Sequence, residues 1–347
     1  MKIGGASENS NSFRSYGTFI LRMKRSLSGI KPTGTPHLGN YLGMIKPAID
    51  MQDQYESFYF IANFHALTTV RDPKAMIADT QNVAAQFLAF GLDPNKAALY
   101  RQSDVPEVTE LTWYLSCVVS MGDLFRAHAF KAAKDAGEEG TLNLGTFAYP
   151  VLMAADILIC DSDVVPVGKD QVQHIEIARA MAQRFNFHFG NVLKEPKEMV
   201  RENVAVVPGT DGRKMSKSYN NGIEPLLTGN ALKKQVMAIQ TDSKGLEDKK
   251  DPETCNVFNL YKLLATAEES HEMAEKYRAG GYGYGHSKLA LLEKIESYFG
   301  PARERYQDLL KRPKDLEDIL QAGAQKARKV GVEVVGRCRQ ALGIPKI

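Results

Sequence analysis

Cysteine is scarce in this 347-residue chain, and no two cysteines lie close together. Cys117, Cys160, Cys255 and Cys338 form no C-x-x-C pair, which argues against a local zinc or redox motif. Single thiols in mostly apolar surroundings are typical of reduced, buried cysteines in a cytoplasmic protein. We therefore expect a cytoplasmic location and buried thiols.

Long apolar runs are also missing from the sequence. No stretch is long enough to cross a bilayer, and the first residues lack the apolar core of a secretory signal. Residues 1–22 are rich in Ser, Asn and Gly, so we expect a disordered extension there, with Met23 as an alternative start. The net charge of +3 is compatible with RNA binding but too small to indicate it.

Strand and helix patterns alternate in the first two thirds of the chain. Apolar runs predict strands at residues 27–30, 58–62, 98–101 and 204–207. Helical patterns begin at residue 73 and cover residues 106–121, 150–160 and 171–185. This alternation predicts an α/β fold, with a doubly wound, Rossmann-like parallel sheet over residues 23–224.

The strand pattern fades after residue 224, and helical periodicity continues to the end of the chain. Helices are predicted at residues 232–239, 257–265, 289–298 and 316–335. Residues 225–347 should therefore form an all-helical region. Lys and Arg cluster on one side of its last helix, where each single charge most often belongs to a solvated face.

A short basic stretch, Lys214-Met215-Ser216-Lys217-Ser218, follows turn-forming residues 208–213. We call residues 214–218 the lysine loop. Two ammonium groups and two hydroxyls in a loop are suited to several phosphate oxygens. A solvated basic loop would be the ordinary interpretation of K-x-x-K alone.

A second stretch, Pro36-His37-Leu38-Gly39-Asn40, follows the first predicted strand and a glycine-rich approach. We call residues 36–40 the early motif. From Leu38 the pattern becomes helical, so His37 and Asn40 would stand at a helix N-terminus, where anions are favoured. Gly39 leaves room for a nucleotide against the backbone. A lone His at such a place is most often structural.

Together, the early motif and the lysine loop resemble the two signatures of class I aminoacyl-tRNA synthetases, which close on ATP from opposite sides. Residues 149–158 and 164–176 resemble the bacterial tryptophan-specific members, and the similarity runs from about residue 25 to residue 343. The resemblance implies that L-tryptophan and ATP form tryptophanyl-adenylate and pyrophosphate, and that tryptophan then passes to tRNA(Trp). It also implies a homodimer, no membrane or DNA partner, and a C-terminal region that approaches the anticodon.

The resemblance assigns catalytic roles to His37, Asn40, Lys214 and Lys217. It places the wider ATP site at Lys31, Pro32, Thr33, Gly39, Asn40, Lys131, Gly168, Lys169, Asp170, Lys214, Met215, Ser216, Lys217 and Ser218. Mg²⁺ should accompany ATP, because no carboxylate cluster suggests a dedicated protein metal site. Positioning and charge neutralisation would drive this chemistry, and no Ser-His-Asp or Cys-His nucleophile is recognisable.

Asp156 lies in an otherwise apolar segment, where an unpaired carboxylate is costly to bury. It could be a helix cap, part of a structural ion pair, or an acceptor for the indole N–H, which only donates. The resemblance favours the acceptor. It completes the tryptophan site with His65, Tyr149, Met153, Asp156 and Gln171, although a residue such as His65 is more often a core histidine.

The chain departs from many relatives at two cations near the expected ATP site. Lys31 stands where many have Gln, and Lys169 where many have Glu. We expect Lys31 to add a contact to the α-phosphate, and an unchanged ATP dependence in Lys31→Gln would count against that. Leu27 stands where an aromatic residue often lies, so the indole wall is expected to be looser.

Three other functions remain open from the residues themselves. A tyrosine-specific ligase of the same class would need partners for a hydroxyl that both donates and accepts. A small nucleotidyltransferase would lack the lysine loop and the long helical region. A non-catalytic paralogue would have lost His37 or a loop lysine. Amino-acid-dependent ATP–pyrophosphate exchange distinguishes all of them.

Overall fold

The computed structural model describes residues 23–32, 34–127, 140, 142–168, 171–200 and 207–345. Several sequence predictions lie outside this part of the chain: the N-terminal extension 1–22, most of the strand at 204–207, and the site residues Thr33, Lys131, Lys169 and Asp170.

Five parallel strands within the described residues form one sheet in the order β3-β2-β1-β4-β5. The strands are β1 (Arg25–Ile30), β2 (Glu56–Ile61), β3 (Ala98–Arg101), β4 (Val164–Val167) and β5 (Lys197–Val200). The chain extends the sheet from β1 on one side through β2 and β3, and on the other through β4 and β5. The topological switch point therefore lies between β1 and β4, and in such sheets ligands bind outside the carboxyl ends of the strands.

Six α-helices lie between β1 and residue 126 in the described part of the chain. They are α1 (Leu38–Asn40), α2 (Lys46–Ile49), α3 (Asn63–Ala66), α4 (Pro73–Ala89), α5 (Glu107–Ser116) and α6 (Met121–Arg126). A π-helical segment, Tyr41–Ile45, connects α1 to α2. At α4 the predicted start is confirmed, because the Asp72 side chain accepts a hydrogen bond from the Lys74 amide and Pro73 opens the helix.

Seven further helices complete the described part of the fold. They are α7 (Leu144–Ile159), α8 (Val172–Phe189), α9 (Gly229–Met237), α10 (Asn256–Tyr261), α11 (Ala267–Ala279), α12 (Tyr284–Leu310) and α13 (Pro313–Leu342). None of the described helices has both the length and the apolar character needed to cross a membrane. The predicted helical region after the sheet is confirmed.

Some predicted boundaries are wrong for identifiable reasons. The pattern at residues 106–121 breaks after Ser116, and a new helix begins at Met121 behind the Ser120 cap. Helix α7 begins before Pro150, because Asn143 caps it by accepting from the Thr146 amide. Strands β4 and β5 were not predicted, since one contains a proline and the other begins with charged residues. The expectation of buried thiols fails at Cys117, which is exposed.

Alternate residues of β2 pack into two apolar cores on opposite faces of the sheet. Phe58 and Phe60 belong to one core, which also contains residues of α5, α7, α8 and α13. Tyr59 and Ile61 belong to the other, which extends into α4, α9, α10 and α12. This period of two is the pattern of a central strand covered on both faces.

Helix α13 packs back onto β3 and is held there by ion pairs. Three of its arginines reach carboxylates of the sheet-containing part, in the pairs Arg328–Glu107, Arg337–Asp161 and Arg339–Glu110. Arg328 and Arg337 stay half-exposed, as a solvated face predicts, whereas the Arg339 side chain is largely covered.

Gly323 permits the close approach of α13 to β3. A Cβ on Gly323 would fall within the van der Waals radius of the Leu99 backbone. We predict that Gly323→Ala lowers the free energy of unfolding by about 1–3 kcal/mol, because the helix must move away from the strand. Urea unfolding followed by circular dichroism measures the change.

Gly336→Ala is the matched control in the same helix, since a Cβ there would meet nothing within 4 Å. This substitution should raise stability by about 0.5–1 kcal/mol through helix propensity. Equal shifts in the two variants would contradict the account of this contact.

Candidate functional site

His37 begins α1 at the carboxyl end of β1 and is fixed by a capping box. Its Nδ1 accepts a hydrogen bond from the Asn40 amide at 3.1 Å, and the Asn40 Oδ1 accepts one from the His37 amide at 3.2 Å. Because Nδ1 is an acceptor here, the ring hydrogen of the neutral imidazole is assigned to Nε2. Nε2–H is then a donor.

Burial and a neighbouring cation keep the His37 ring neutral. Desolvation lowers its pKa below the usual value, and the positive charge of Lys217 lowers it further. Because the pKa is lowered, the neutral form of His37 persists to a lower pH than in an exposed histidine. A neutral donor at this place can meet an anionic oxygen without carrying a charge of its own.

Asn221 holds the lysine loop in shape. This buried residue accepts from the Ser216 amide at 2.8 Å through Oδ1. Its Nδ2 donates to the Lys214 carbonyl at 3.2 Å and to the Asp211 carboxylate at 2.7 Å. The Met215 side chain is buried in the core, whereas the neighbouring Lys214 is exposed. The buried methionine thus anchors the loop to the protein.

The early motif and the lysine loop are in direct contact. The Leu38 amide donates to the Ile223 carbonyl at 2.7 Å, just after the loop. The Gly39 amide donates to the Met215 sulfur at 3.3 Å. Lys217 Nζ lies 3.3 Å from the place where a Cβ would stand on Gly34. Two segments far apart in sequence thus form one site at the end of β1.

Desolvation lowers the pKa of Lys217, and the charges of Glu224 and Asp79 oppose that shift. Ser216 Oγ accepts from the Ser218 amide at 3.3 Å, which closes a short turn around the second lysine. Ser218 itself is exposed. The loop therefore presents cations and hydroxyls on a surface that its backbone bonds keep in one shape.

Several other predicted ATP residues lie at the same sheet edge. Lys31 is exposed and Pro32 is buried directly after β1. Gly168 is exposed after β4, and its carbonyl accepts from the Gln171 amide at 2.9 Å, where α8 starts. Since β1 and β4 are neighbours, these residues flank the switch point.

Asp156 is a buried carboxylate with two partners. Only 4% of the residue is exposed. His65 Nε2 lies 2.9 Å from its Oδ2, and Gln102 Nε2 donates to Oδ1 and Oδ2 at 2.8 and 2.9 Å. Burial raises the pKa of Asp156, whereas the bonds from His65 and Gln102 lower it. We refer to His65, Gln102 and Asp156 as the Asp156 cluster.

Tyr149 lies on the same helix as Asp156, two turns earlier. Its ring meets the His65 ring edge-on at 6.4 Å between centroids, and its hydroxyl lies 3.3 Å from His174 Nε2. Burial raises the pKa of the Tyr149 hydroxyl, so it stays protonated. Met153 is half-buried against the core that contains α7. The structure thus brings Tyr149, His65 and Asp156 together.

Sequence reasoning missed two residues that organise this site. Gln102 follows β3 directly, at the sheet edge where ligands bind, and that position was a signal. Asn221 had no such signal, because its partners in the loop depend on the folded backbone. No group of three or more metal-binding side chains occurs among the described residues.

We predict that Asn221→Ala loosens the lysine loop. The Ser216 amide and the Lys214 carbonyl would lose their partner, so trypsin should cleave after the loop lysines about tenfold faster. Mass spectrometry of timed digests measures the rate. Asn220→Gly is the control, because that residue has a φ of +49°, which glycine adopts freely. Equal cleavage rates in both variants would show that Asn221 does not hold the loop.

Comparison with known proteins places this site in a family. The family described as tRNA synthetases class I (W and Y) matches residues 22–300. A tryptophan–tRNA ligase from Rhodopirellula baltica is 52% identical over 320 residues, which cover 92% of this chain and 99% of that protein.

Solved structures agree with this match. Tryptophanyl-tRNA synthetase from Campylobacter jejuni, complexed with ADP and tryptophan, aligns with a TM-score of 0.88 and 46% identity over 92% of this chain and 100% of that one. The enzyme from Mycoplasma pneumoniae aligns with a TM-score of 0.76 and 29% identity over 93% and 98%. The chain therefore belongs to the class I tRNA synthetases of the tryptophan and tyrosine family, among the bacterial tryptophanyl-tRNA synthetases.

Proposed function

We propose that this protein activates L-tryptophan with ATP and transfers it to tRNA(Trp). The observation that carries the proposal is the contact between the early motif and the lysine loop, which puts Lys217 beside Gly34 and His37 at the sheet edge. The relative from Campylobacter jejuni holds ADP and tryptophan, and its 46% identity supports the same two ligands here.

In the first step, a tryptophan carboxylate oxygen attacks the α-phosphorus of ATP. The bond from the α-phosphorus to the bridging oxygen breaks, and pyrophosphate leaves with both electrons of that bond. Lys214 and Lys217 neutralise the charge that develops on pyrophosphate, with Ser216 and Ser218 as further donors. His37 Nε2–H and the Asn40 amide group bind phosphate oxygens, and exposed Lys31 contacts the α-phosphate.

In the second step, a terminal ribose hydroxyl of tRNA attacks the acyl carbon, and AMP leaves. ATP brings Mg²⁺ bound to its phosphates, since the described residues offer cations and neutral donors rather than a carboxylate cage. Gly39 lets the His37 ring and Met215 pack closely, since a Cβ there would lie 3.0 Å from His37 Nδ1 and 3.3 Å from Met215 Cβ. Gly168 would leave space beside the nucleotide, and Pro32 and Met215 would shape the backbone around it. Thr33, Lys131, Lys169 and Asp170 are assigned to the ATP site by resemblance alone.

The Asp156 cluster is proposed as the indole site. In the cluster, Oδ1 takes one hydrogen bond and Oδ2 takes two, so Oδ1 keeps acceptor capacity for one N–H. Met153 would pack on the indole face, and Tyr149 and Gln171 would bind the amino-acid end. The carboxylate rejects rings that cannot donate, because the desolvated acceptor would stay unsatisfied.

Residues 23–224 are proposed as the catalytic domain and residues 225–347 as the anticodon-recognition region. Arginines of α13 that pair with carboxylates of the catalytic domain hold the two parts together. Because the reaction uses ATP and tRNA, we propose that the protein acts in the cytoplasm.

Pyrophosphate exchange measured with each of several amino acids tests the proposed function. Exchange of labelled pyrophosphate into ATP should depend on L-tryptophan and stay at background with L-tyrosine and L-phenylalanine. Acylation of tRNA(Trp) should follow under the same conditions. Exchange with tyrosine alone would make the chain a tyrosine ligase, and no exchange with any amino acid would make it a non-catalytic relative.

A homodimer is proposed as the assembly. Three apolar side chains on α6 and at the start of α7 are exposed: Met121, Phe125 and Leu144, at 58%, 47% and 77%. Phe125 also packs on Phe147, with 5.4 Å between ring centroids. An apolar patch of this kind marks a protein interface, and symmetric pairing would cover it on both copies.

Sedimentation velocity tests the dimer and its interface. The wild type should sediment as a dimer, and Phe125→Asp should shift it to monomer, because each copy would place a carboxylate in an apolar contact. Val332→Asp, at a site 55% exposed on α13, is the control and should stay dimeric. A wild-type monomer, or a dimer unaffected by Phe125→Asp, would contradict this interface.

A further inference from the structure

Gln102 is a buried amide whose two ends are both occupied. The residue is 1% exposed and directly follows β3. Its Oε1 accepts from the backbone amides of Phe64 and His65 at 3.0 and 3.3 Å. Its Nε2 donates to both oxygens of Asp156. No other side chain among the described residues holds both His65 and Asp156 in this way.

We propose that Gln102 is a positioning and specificity-determining residue of the amino-acid site, which fixes the orientation of the Asp156 carboxylate toward indole. This inference rests on the proposed function, since it concerns how that site selects its substrate. Gln102 acts through Asp156 and does not touch the substrate.

The backbone determines which way the Gln102 amide points. Two backbone N–H groups face its oxygen, so the NH₂ group must face Asp156. A reversed amide would place NH₂ against two donors and an oxygen against a carboxylate. The Gln102 NH₂ group therefore donates to the Asp156 carboxylate from a fixed direction, and this bond sets the plane of the carboxylate before a ligand binds.

Contacts between β3 and α13 support the end of the strand from which the Gln102 side chain extends. Arg101 makes two hydrogen bonds of 2.7 Å to Glu317 of α13. Gly323 of the same helix lies against Leu99. Two residues of β3 just before Gln102 thus contact α13, which supports the backbone from which the Gln102 side chain starts.

A count of donors explains selectivity against tyrosine. The Nε2–H hydrogen of His65 is held by Asp156, and Gln102 Nε2 turns one of its hydrogens toward the two carboxylate oxygens, which lie in nearly the same direction from it. An indole N–H needs only an acceptor, which Oδ1 supplies. A phenol could also donate to Oδ1, but its oxygen would receive no bond from His65, because the carboxylate already holds the Nε2 hydrogen of that ring.

The charge state of Asp156 depends on the same donor. His65, Tyr100 and Cys160 are the titratable groups that face or act on Asp156. Burial raises the pKa of the Cys160 thiol to about 12 and that of Tyr100 well above its usual value, so both stay neutral. Loss of the Gln102 bond would raise the Asp156 pKa, and the acceptor would protonate at a higher pH.

Gln102→Met tests the proposal, because it keeps the side chain's length and removes both polar ends. We expect the KM for tryptophan in pyrophosphate exchange to rise about 10–100-fold, as is usual when a residue that orients a binding group is removed. The KM for ATP should stay within about twofold. The acidic limb of kcat/KM for tryptophan should move to higher pH, and the preference for tryptophan over tyrosine should fall.

Gln86→Met is the matched control, because Gln86 is also 1% exposed and its side chain bonds to Asn82 and Tyr306, away from the cluster. It should leave the KM for tryptophan and its pH profile unchanged. If Gln102→Met does not fold, Gln102→Glu replaces it; this variant keeps the shape and sets an acceptor against Asp156, with the same expected shifts.

Two results would overturn the role of Gln102. One is a KM for tryptophan equal in the Gln102 and Gln86 variants. The other is a raised KM with the pH profile unmoved, which would indicate a merely structural effect. Either result leaves the wild-type exchange with tryptophan intact, whereas a wild type that does not use tryptophan would contradict the proposed function itself.

Discussion

The hydrogen bond from the Leu38 amide to the Ile223 carbonyl joins the start of α1 to the segment that follows the lysine loop. With the Gly39–Met215 contact, it sets the distance between His37 and the two loop lysines. Without this contact, the two lysines would belong to an exposed basic loop with no fixed position relative to the early motif. With it, the neutral His37 imidazole and the partly desolvated Lys217 ammonium are close enough to interact electrostatically, near the switch point of the sheet, where ligands bind in folds of this kind.

The second constraint is a carboxylate that water cannot reach. Asp156 is kept in the interior by bonds from His65 and Gln102, which reach it from the ends of β2 and β3. Its burial makes every missing hydrogen bond costly, and that cost is the basis of the proposed selection of one aromatic ring over another. Helix α13 contributes from outside, because its ion pair with Arg101 and its close contact at Gly323 support the strand that carries Gln102.

The sequence predicted the sheet, the helical C-terminal region and the two motifs, because each depends on local patterns. Asp72 and Pro73 mark a helix start, because an Asp cap followed by Pro can be recognised in the sequence itself. Strands β4 and β5 escaped prediction, since Pro166 and the charged start of β5 hide them until neighbouring strands pair with them. Gln102 and Asn221 act through contacts with residues distant in the chain or with the folded backbone, and only Gln102 has a sequence signal, its place directly after a strand. The ion pairs of α13 were hidden for the same reason.

The measurement closest to the central claim is the rate of pyrophosphate exchange in Lys217→Met at saturating tryptophan. If the docked lysine loop meets the triphosphate, the maximal rate falls by about 100-fold or more, as for loss of one charge-stabilising group. Tryptophan affinity measured by calorimetry should stay that of the wild type. Lys233→Met, an exposed lysine of α9, is the control. An exchange rate in Lys217→Met equal to that of the control would contradict the account.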